Sequence, residues 1–101
     1  PDAVLCANDQ VAAQLLRSLA AAGLRVPGDV RIVGFDDVRF ATLLAPALTT
    51  VRQPCRELAA VALKTMLERF ADPTIPPRGI SLAPTLAVRD SCGAYLPRKG
   101  R

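Results

Sequence analysis

The sequence predicts an α/β domain in three layers, a mostly parallel β-sheet with helices on both faces. Two observations predict it. Short apolar runs alternate along the chain with stretches of helical periodicity, an order that implies right-handed crossovers between parallel strands. The chain of 101 residues is 50% hydrophobic and 22% charged, a balance that favours a packed core over disorder. Aromatics are few (Phe35, Phe40, Phe70 and Tyr95), so that core must be built from Val, Leu, Ile and Ala.

Each element carries its own signature. Ala3–Ala7 is a continuous apolar run and reads as a strand buried on both faces. Gln10 to Ala22 places Ala12, Leu15, Leu16, Leu19 and Ala20 on one helical stripe; Gly23 supplies the stop and Pro27-Gly28 a turn. Val30–Phe35 reads as a second buried strand, Val38–Leu44 as a short helix halted by Pro46, and Leu48–Val51 as a third strand. Pro54 suits the first turn of the next helix. There Ala59, Ala62, Leu63, Met66, Leu67 and Phe70 recur at spacings of three and one, and the Met66–Phe70 stripe is expected in the core. Asp72–Pro77 is a Pro-rich loop, and Ile80–Val88 holds one or two further strands around Pro84.

Composition narrows the function. The net charge is +4, but Arg98, Lys99 and Arg101 supply three of those charges within the last four residues. Such an end reads as a solvated tail rather than a phosphate-binding surface, and no recognition helix, zinc finger or stacking platform is visible. Cys6, Cys55 and Cys92 are widely spaced and no histidine is present, so neither a metal site nor a disulfide framework is expected. Free thiols fit a reducing cytoplasm. No apolar run approaches a membrane span.

In an open α/β sheet, ligands bind beyond the carboxyl ends of the strands. Asn8-Asp9, Asp36-Asp37 and Arg52-Gln53 fall there, and short amide and carboxylate side chains suit bidentate hydrogen bonding to vicinal hydroxyls or to the polar edge of a heterocycle. Asn8 or Asp9 can instead cap the following helix, and a cap is the expectation for Asp9 and for Asp37. Position alone leaves Asp36 equally open to either role. Cys6 and Cys55 are expected to be packing residues, since no histidine can serve as a partner base. Paired aspartates can hold Mg²⁺ or accept a phosphoryl group. That chemistry, however, calls for a nearby lysine or a Gly-rich phosphate loop, and the only lysines are Lys64 and Lys99. No catalytic residue, cofactor or metal is expected.

Four segments together resemble a known family. They are Ala7-Asn8-Asp9-Gln10; Leu24 to Val30 leading into Ile32-Val33-Gly34-Phe35-Asp36-Asp37; Leu48-Thr49-Thr50-Val51-Arg52-Gln53-Pro54; and Val88-Arg89-Asp90-Ser91-Cys92-Gly93. In this order and spacing the chain is similar to the C-terminal lobe of the periplasmic-binding-protein-like effector domain of LacI/GalR-type transcription regulators. The resemblance implies a lobe over residues 1–93 followed by a flexible basic tail over 94–101. It implies a cytoplasmic homodimer that binds a sugar or related polar metabolite between two lobes and meets operator DNA only through a headpiece absent from this chain. By the same resemblance Asn8, Asp36, Gln53 and Cys55 contact the effector. Cys55 stands where some relatives place an aromatic, so ring stacking on a sugar is not expected there. Val11, Ala12, Leu15, Phe40, Leu43 and Leu44 are the dimer-surface candidates, with Leu43 and Leu44 equally open to a core role. A lobe of a periplasmic sugar-transport protein shares the fold and is the alternative. The Gly-Phe-Asp-Asp, Leu-Thr-Thr-Val-Arg-Gln-Pro and Arg-Asp-Ser-Cys-Gly segments favour the regulator.

Overall fold

A computed structural model describes residues 1–98. Lys99 and Arg101, assigned above to a basic tail, lie outside the described residues. The elements run β1 (Ala3–Leu5), α1 (Asp9–Ala21), β2 (Arg31–Phe35), a 3-10 turn (Arg39–Thr42), β3 (Thr49–Arg52), α2 (Cys55–Ala71) and β4 (Thr85–Ala87). They form one sheet in the order β1-β2-β3-β4, and the β1–β2 and β2–β3 pairs are both parallel. Contacts gather the chain into two compact units, one of residues 1–52 with those from 86 on and the other Gln53–Thr85.

In the first unit, α1 starts at Asn8, whose Oδ1 accepts a hydrogen bond from the Val11 amide at 2.9 Å. This side-chain cap satisfies one of the donors that a helix start leaves without an internal partner. The helix ends in a Schellman arrangement. The Leu24 amide donates to Leu19 O and the Gly23 amide to Ala20 O, with Gly23 at φ +76, a conformation that favours glycine. Ala12 and Leu16 point inward from α1 and join Cys6, Val30, Ile32, Ala41 and Leu48 in the core. Ile32 and Leu48 are fully buried, each worth about 1.5–3 kcal/mol relative to exposure.

Several expectations change here. Neither strand is buried on both faces: in β2 Ile32 and Gly34 are buried while Arg31 and Phe35 are exposed, and in β1 Val4 is half-buried and Leu5 73% exposed. The buried side of β2 is the one that packs with α1, where Ile32 joins Ala12 and Leu16. Ala12 is 0% exposed, so it belongs to the core and not to a dimer surface. The short helix expected over Val38–Leu44 is a single 3-10 turn, capped by no side chain. Residues 94–96 continue as turns, with the Leu96 amide donating to Gly93 O and the Tyr95 hydroxyl 3.4 Å from Val88 O.

In the second unit, α2 follows Pro54 and runs for 17 residues of mostly good helix formers before the Asp72-Pro73 step ends it. Asp72 then shapes the loop, its Oδ1 accepting from both the amide and the hydroxyl of Thr74. Glu68 pairs with Arg78. The core role expected for the Met66–Phe70 stripe fails: α2 buries no residue, and Leu63, Met66, Leu67 and Phe70 are all more than half exposed. A helical stripe shows which side of a helix is apolar, not that something covers it.

Candidate functional site

The parallel register brings the polar strand ends to one level. Leu5 pairs with Val33 and Val33 with Thr49. Asn8, Asp36 and Arg52 each stand three residues further on, so all three emerge along the carboxyl edge of the sheet. That is the edge at which an α/β sheet presents ligand-binding groups.

Within this edge the two polar pairs divide their work. Asp9 does not cap α1. It is completely buried, and its carboxyl ties three segments together. Asp9 Oδ1 accepts from Thr50 Oγ1 at 2.5 Å and Oδ2 accepts from the Val38 amide at 2.9 Å. Gly34 makes the room, since a Cβ there would run into Asp9 Oδ1 and come within 3.0 Å of Leu48 Cδ2. Asp37 is not a helix cap either. Its carboxylate meets Arg52 Nε at 2.6 Å and Arg89 Nη2 at 2.8 Å, and only 11% of its side chain is exposed. Burial pushes the Asp37 carboxyl up, but hydrogen bonds and charge from Arg52 and Arg89 outweigh it and hold the group below the usual aspartate range.

The turn carrying Asp36 is clamped at every backbone donor. The Asp36 amide donates to Val51 O at 2.9 Å, the Asp37 amide to Thr50 Oγ1 at 3.2 Å, and the Val38 amide to Asp9 Oδ2. Those bonds hold Asp36 at φ +113 and Asp37 at φ +55, a region that residues with a Cβ rarely adopt. Backbone held in a sparsely populated region persists only where its surroundings impose it, and such sites cluster at ligand contacts. The Asp36 side chain is exposed.

Arg89 and Ser91 complete the support. The Arg89 guanidinium donates to Leu48 O at 2.9 Å and its amide to Thr49 Oγ1 at 2.8 Å. Ser91 Oγ donates to Ile32 O and accepts from the Thr49 amide, stapling β2 to β3. No buried side-chain polar atom among the described residues lacks a partner.

Of the remaining expected residues, Gln53 is half-buried and Cys55 exposed; both lie in the second unit. Cys55 is therefore not the packing residue expected, whereas Cys6 is buried and its thiol is pushed up by that burial. Val11 and Phe40 are partly exposed, Leu43 is 82% exposed, and Leu15 and Leu44 are half-buried against the core. Thr50, Gly34 and Arg89 also shape the site, although their motifs do not by themselves point to these roles. A small hydroxyl between strand residues and an arginine beyond the last strand were the available signals. Among the described residues no group of three or more Cys, Asp or Glu could hold a metal ion, and no helix is long and apolar enough to cross a membrane.

Comparison with known proteins places this architecture. Residues 1–92 match the family described as the periplasmic binding protein-like domain. The ribose operon repressor of Haemophilus influenzae is 38% identical over 91 residues, which cover 90% of this chain and 27% of that protein. The chain thus spans about a quarter of the curated relative's length. Among solved structures, the transcriptional regulator CelR in complex with cellobiose superposes with a TM-score of 0.84 at 37% identity, covering 89% of this chain and 28% of that one. The Lac repressor dimer bound to operator and an anti-inducer superposes at 0.81 with 32% identity, covering 90% and 32%. With its parallel strand pairs, its polar carboxyl edge and these likenesses, the chain belongs to the periplasmic binding protein-like family.

Proposed function

We propose that this chain is the effector-sensing and dimer-forming C-terminal lobe of a cytoplasmic regulator that is not an enzyme. In this reading a small polyhydroxylated ligand, a sugar or related polar metabolite, binds at the carboxyl edge of the sheet and changes how a homodimer engages operator DNA through a separate headpiece. The observation that carries the proposal is the exposed Asp36 carboxyl, held at φ +113 by a turn whose amides are all bonded.

The chemistry of the edge is complementary to a hydroxyl. The Asn8 cap commits its Oδ1 to Val11, so its amide nitrogen is the half that faces a ligand as donor. Asp36 supplies the acceptor. A sugar hydroxyl both accepts and donates, and vicinal hydroxyls can use the two together. Gln53 and Cys55 take their effector roles from the family resemblance. Val11, Leu15, Phe40, Leu43 and Leu44 form the proposed dimer surface, Leu43 first among them by its exposure. The repressor name of the relative and the cellobiose in the CelR complex support this class of ligand and outcome.

The test is calorimetric titration of the regulator carrying this chain with a panel of mono- and disaccharides, followed by Asp36→Ala with the sugar that binds. Loss of a hydrogen bond to a desolvated ligand costs about 1–3 kcal/mol, so affinity falls roughly 5- to 150-fold while the protein stays folded. Unchanged affinity assigns Asp36 a purely structural role and removes the proposal's main support.

A further inference from the structure

A second cleft lies at the opposite end of β2 from Asp36. It has a volume of about 610 Å³ and is lined by Gly28, Arg31, Cys92, Gly93, Leu96 and Arg98 among others, all in the first unit. Arg31 opens β2 and pairs with Ala3, so this is the amino edge of the sheet. Five strand residues, roughly 16 Å, separate it from the carboxyl edge.

Arg31 and Arg98 are the charged side chains lining the cleft, and among the described residues neither has a carboxylate in ion-pair contact. One neighbouring acid is already committed. Asp29 shares a smaller neighbouring pocket with Arg31, but its carboxylate is taken up by Arg25, with bonds of 2.8, 3.1 and 3.0 Å from the amide, Nε and Nη2. These bonds hold the Asp29 carboxyl down to about 2. Asp2 is the other acid lining that pocket. On the far side, Gly93 at φ +76 lets the backbone lie against Arg31; a Cβ there would stand 3.0 Å from Arg31 Nε and 3.5 Å from Cδ. The turn therefore seats the guanidinium by contact rather than by neutralising it. Two guanidiniums with no ion-pair partner among the described residues, in a concavity the size of a small-molecule site, suit an anion with several oxygens.

We propose that the cleft between Arg31 and Arg98 binds a small phosphate-bearing anion, at a site separate from the sugar-binding edge. The shared chemistry is the phosphate group, which free phosphate and a phosphorylated metabolite both carry. Neither the position nor the ligand depends on the role assigned to Asp36.

Inorganic phosphate is the first probe, titrated calorimetrically into the intact protein at constant ionic strength, with a sugar phosphate and the matching unphosphorylated sugar as second and third arms. Saturable binding of phosphate is expected. Arg31→Ala and Arg98→Ala each weaken it at least about tenfold, since each removes a charge-assisted contact. Arg31→Lys retains part of the affinity, Asp2→Asn strengthens it, and Asp36→Ala leaves it unchanged. Tighter binding of the sugar phosphate than of free phosphate identifies a metabolite as the source, and the reverse order identifies free phosphate. Because both arginines are exposed, melting temperatures in phosphate-free buffer should match the parent and show that the variants fold. Phosphate binding that survives both alanine variants, that disappears with Asp36→Ala, or that chloride reproduces overturns the proposal.

Discussion

The two polar strand ends, Asn8-Asp9 after β1 and Asp36-Asp37 after β2, look alike in sequence and sit at the same level of a parallel sheet. They are used differently. After β1 both residues do structural work, Asn8 as the cap of α1 and Asp9 as a buried knot joining β3 and the 36–38 turn. After β2 the work splits: Asp37 is clamped between Arg52 and Arg89, and its neighbour Asp36 is turned out to solvent. Polar pairs at strand ends are therefore not interchangeable signs of a binding site. What distinguishes the members is burial: Asp9 is completely buried and Asp37 nearly so, whereas Asp36 is exposed.

The difference can be broken from its most costly member downward. Asp9→Ala should have the largest effect, because it strands the buried Thr50 hydroxyl and removes the acceptor of the part-buried Val38 amide. A loss of about 2–4 kcal/mol is expected by chemical denaturation, and Gly34→Ala should destabilise by a similar mechanism as its Cβ displaces the carboxyl. Asp37→Ala comes next at about 1–2 kcal/mol, most of it from Arg89, whose side chain is only 16% exposed and loses its counter-charge. Asn8→Ala removes a cap and should cost about 1 kcal/mol, visible as a lower melting temperature with little loss of helix signal.

The pH dependence sharpens the same contrast. Asp37 has a folded-state carboxyl below its ordinary value of 3.8, so the unfolded chain takes up a proton first as acid is added. The stabilisation is fully present above that ordinary value and is lost as pH falls through the lower folded value. Stability of the parent should therefore drop below about pH 4, and the Asp37→Ala variant should lose this part of the acid sensitivity. Equal acid sensitivity in parent and variant would remove Arg52 and Arg89 as the cause.

Much of this was legible in the chain. The alternation of strands and helices, the Gly23 stop and the carboxyl-edge placement of Asn8 and Asp36 follow from local pattern, because periodicity and turn chemistry act over a few residues. The assignment of Asp9 was not legible. Its partners Thr50 and Val38 lie 41 and 29 residues away, and a capping residue and a buried aspartate look identical before the strands are paired. The same holds for Arg89, whose guanidinium reaches Asp37 across 52 positions of sequence. The apolar stripe of α2 shows the opposite limit: its pattern is plain, yet pattern alone says nothing of what lies against it.

The most direct measurement of the division of labour is Asp36→Gly, followed for folding stability and sugar affinity in the same preparation. Glycine accepts φ +113 without strain, which offsets the side-chain interactions lost, so stability should stay within about 1 kcal/mol of the parent while sugar affinity falls at least about fivefold. A variant that loses stability and binds the sugar as tightly as the parent would show that Asp36 serves the fold and not the ligand.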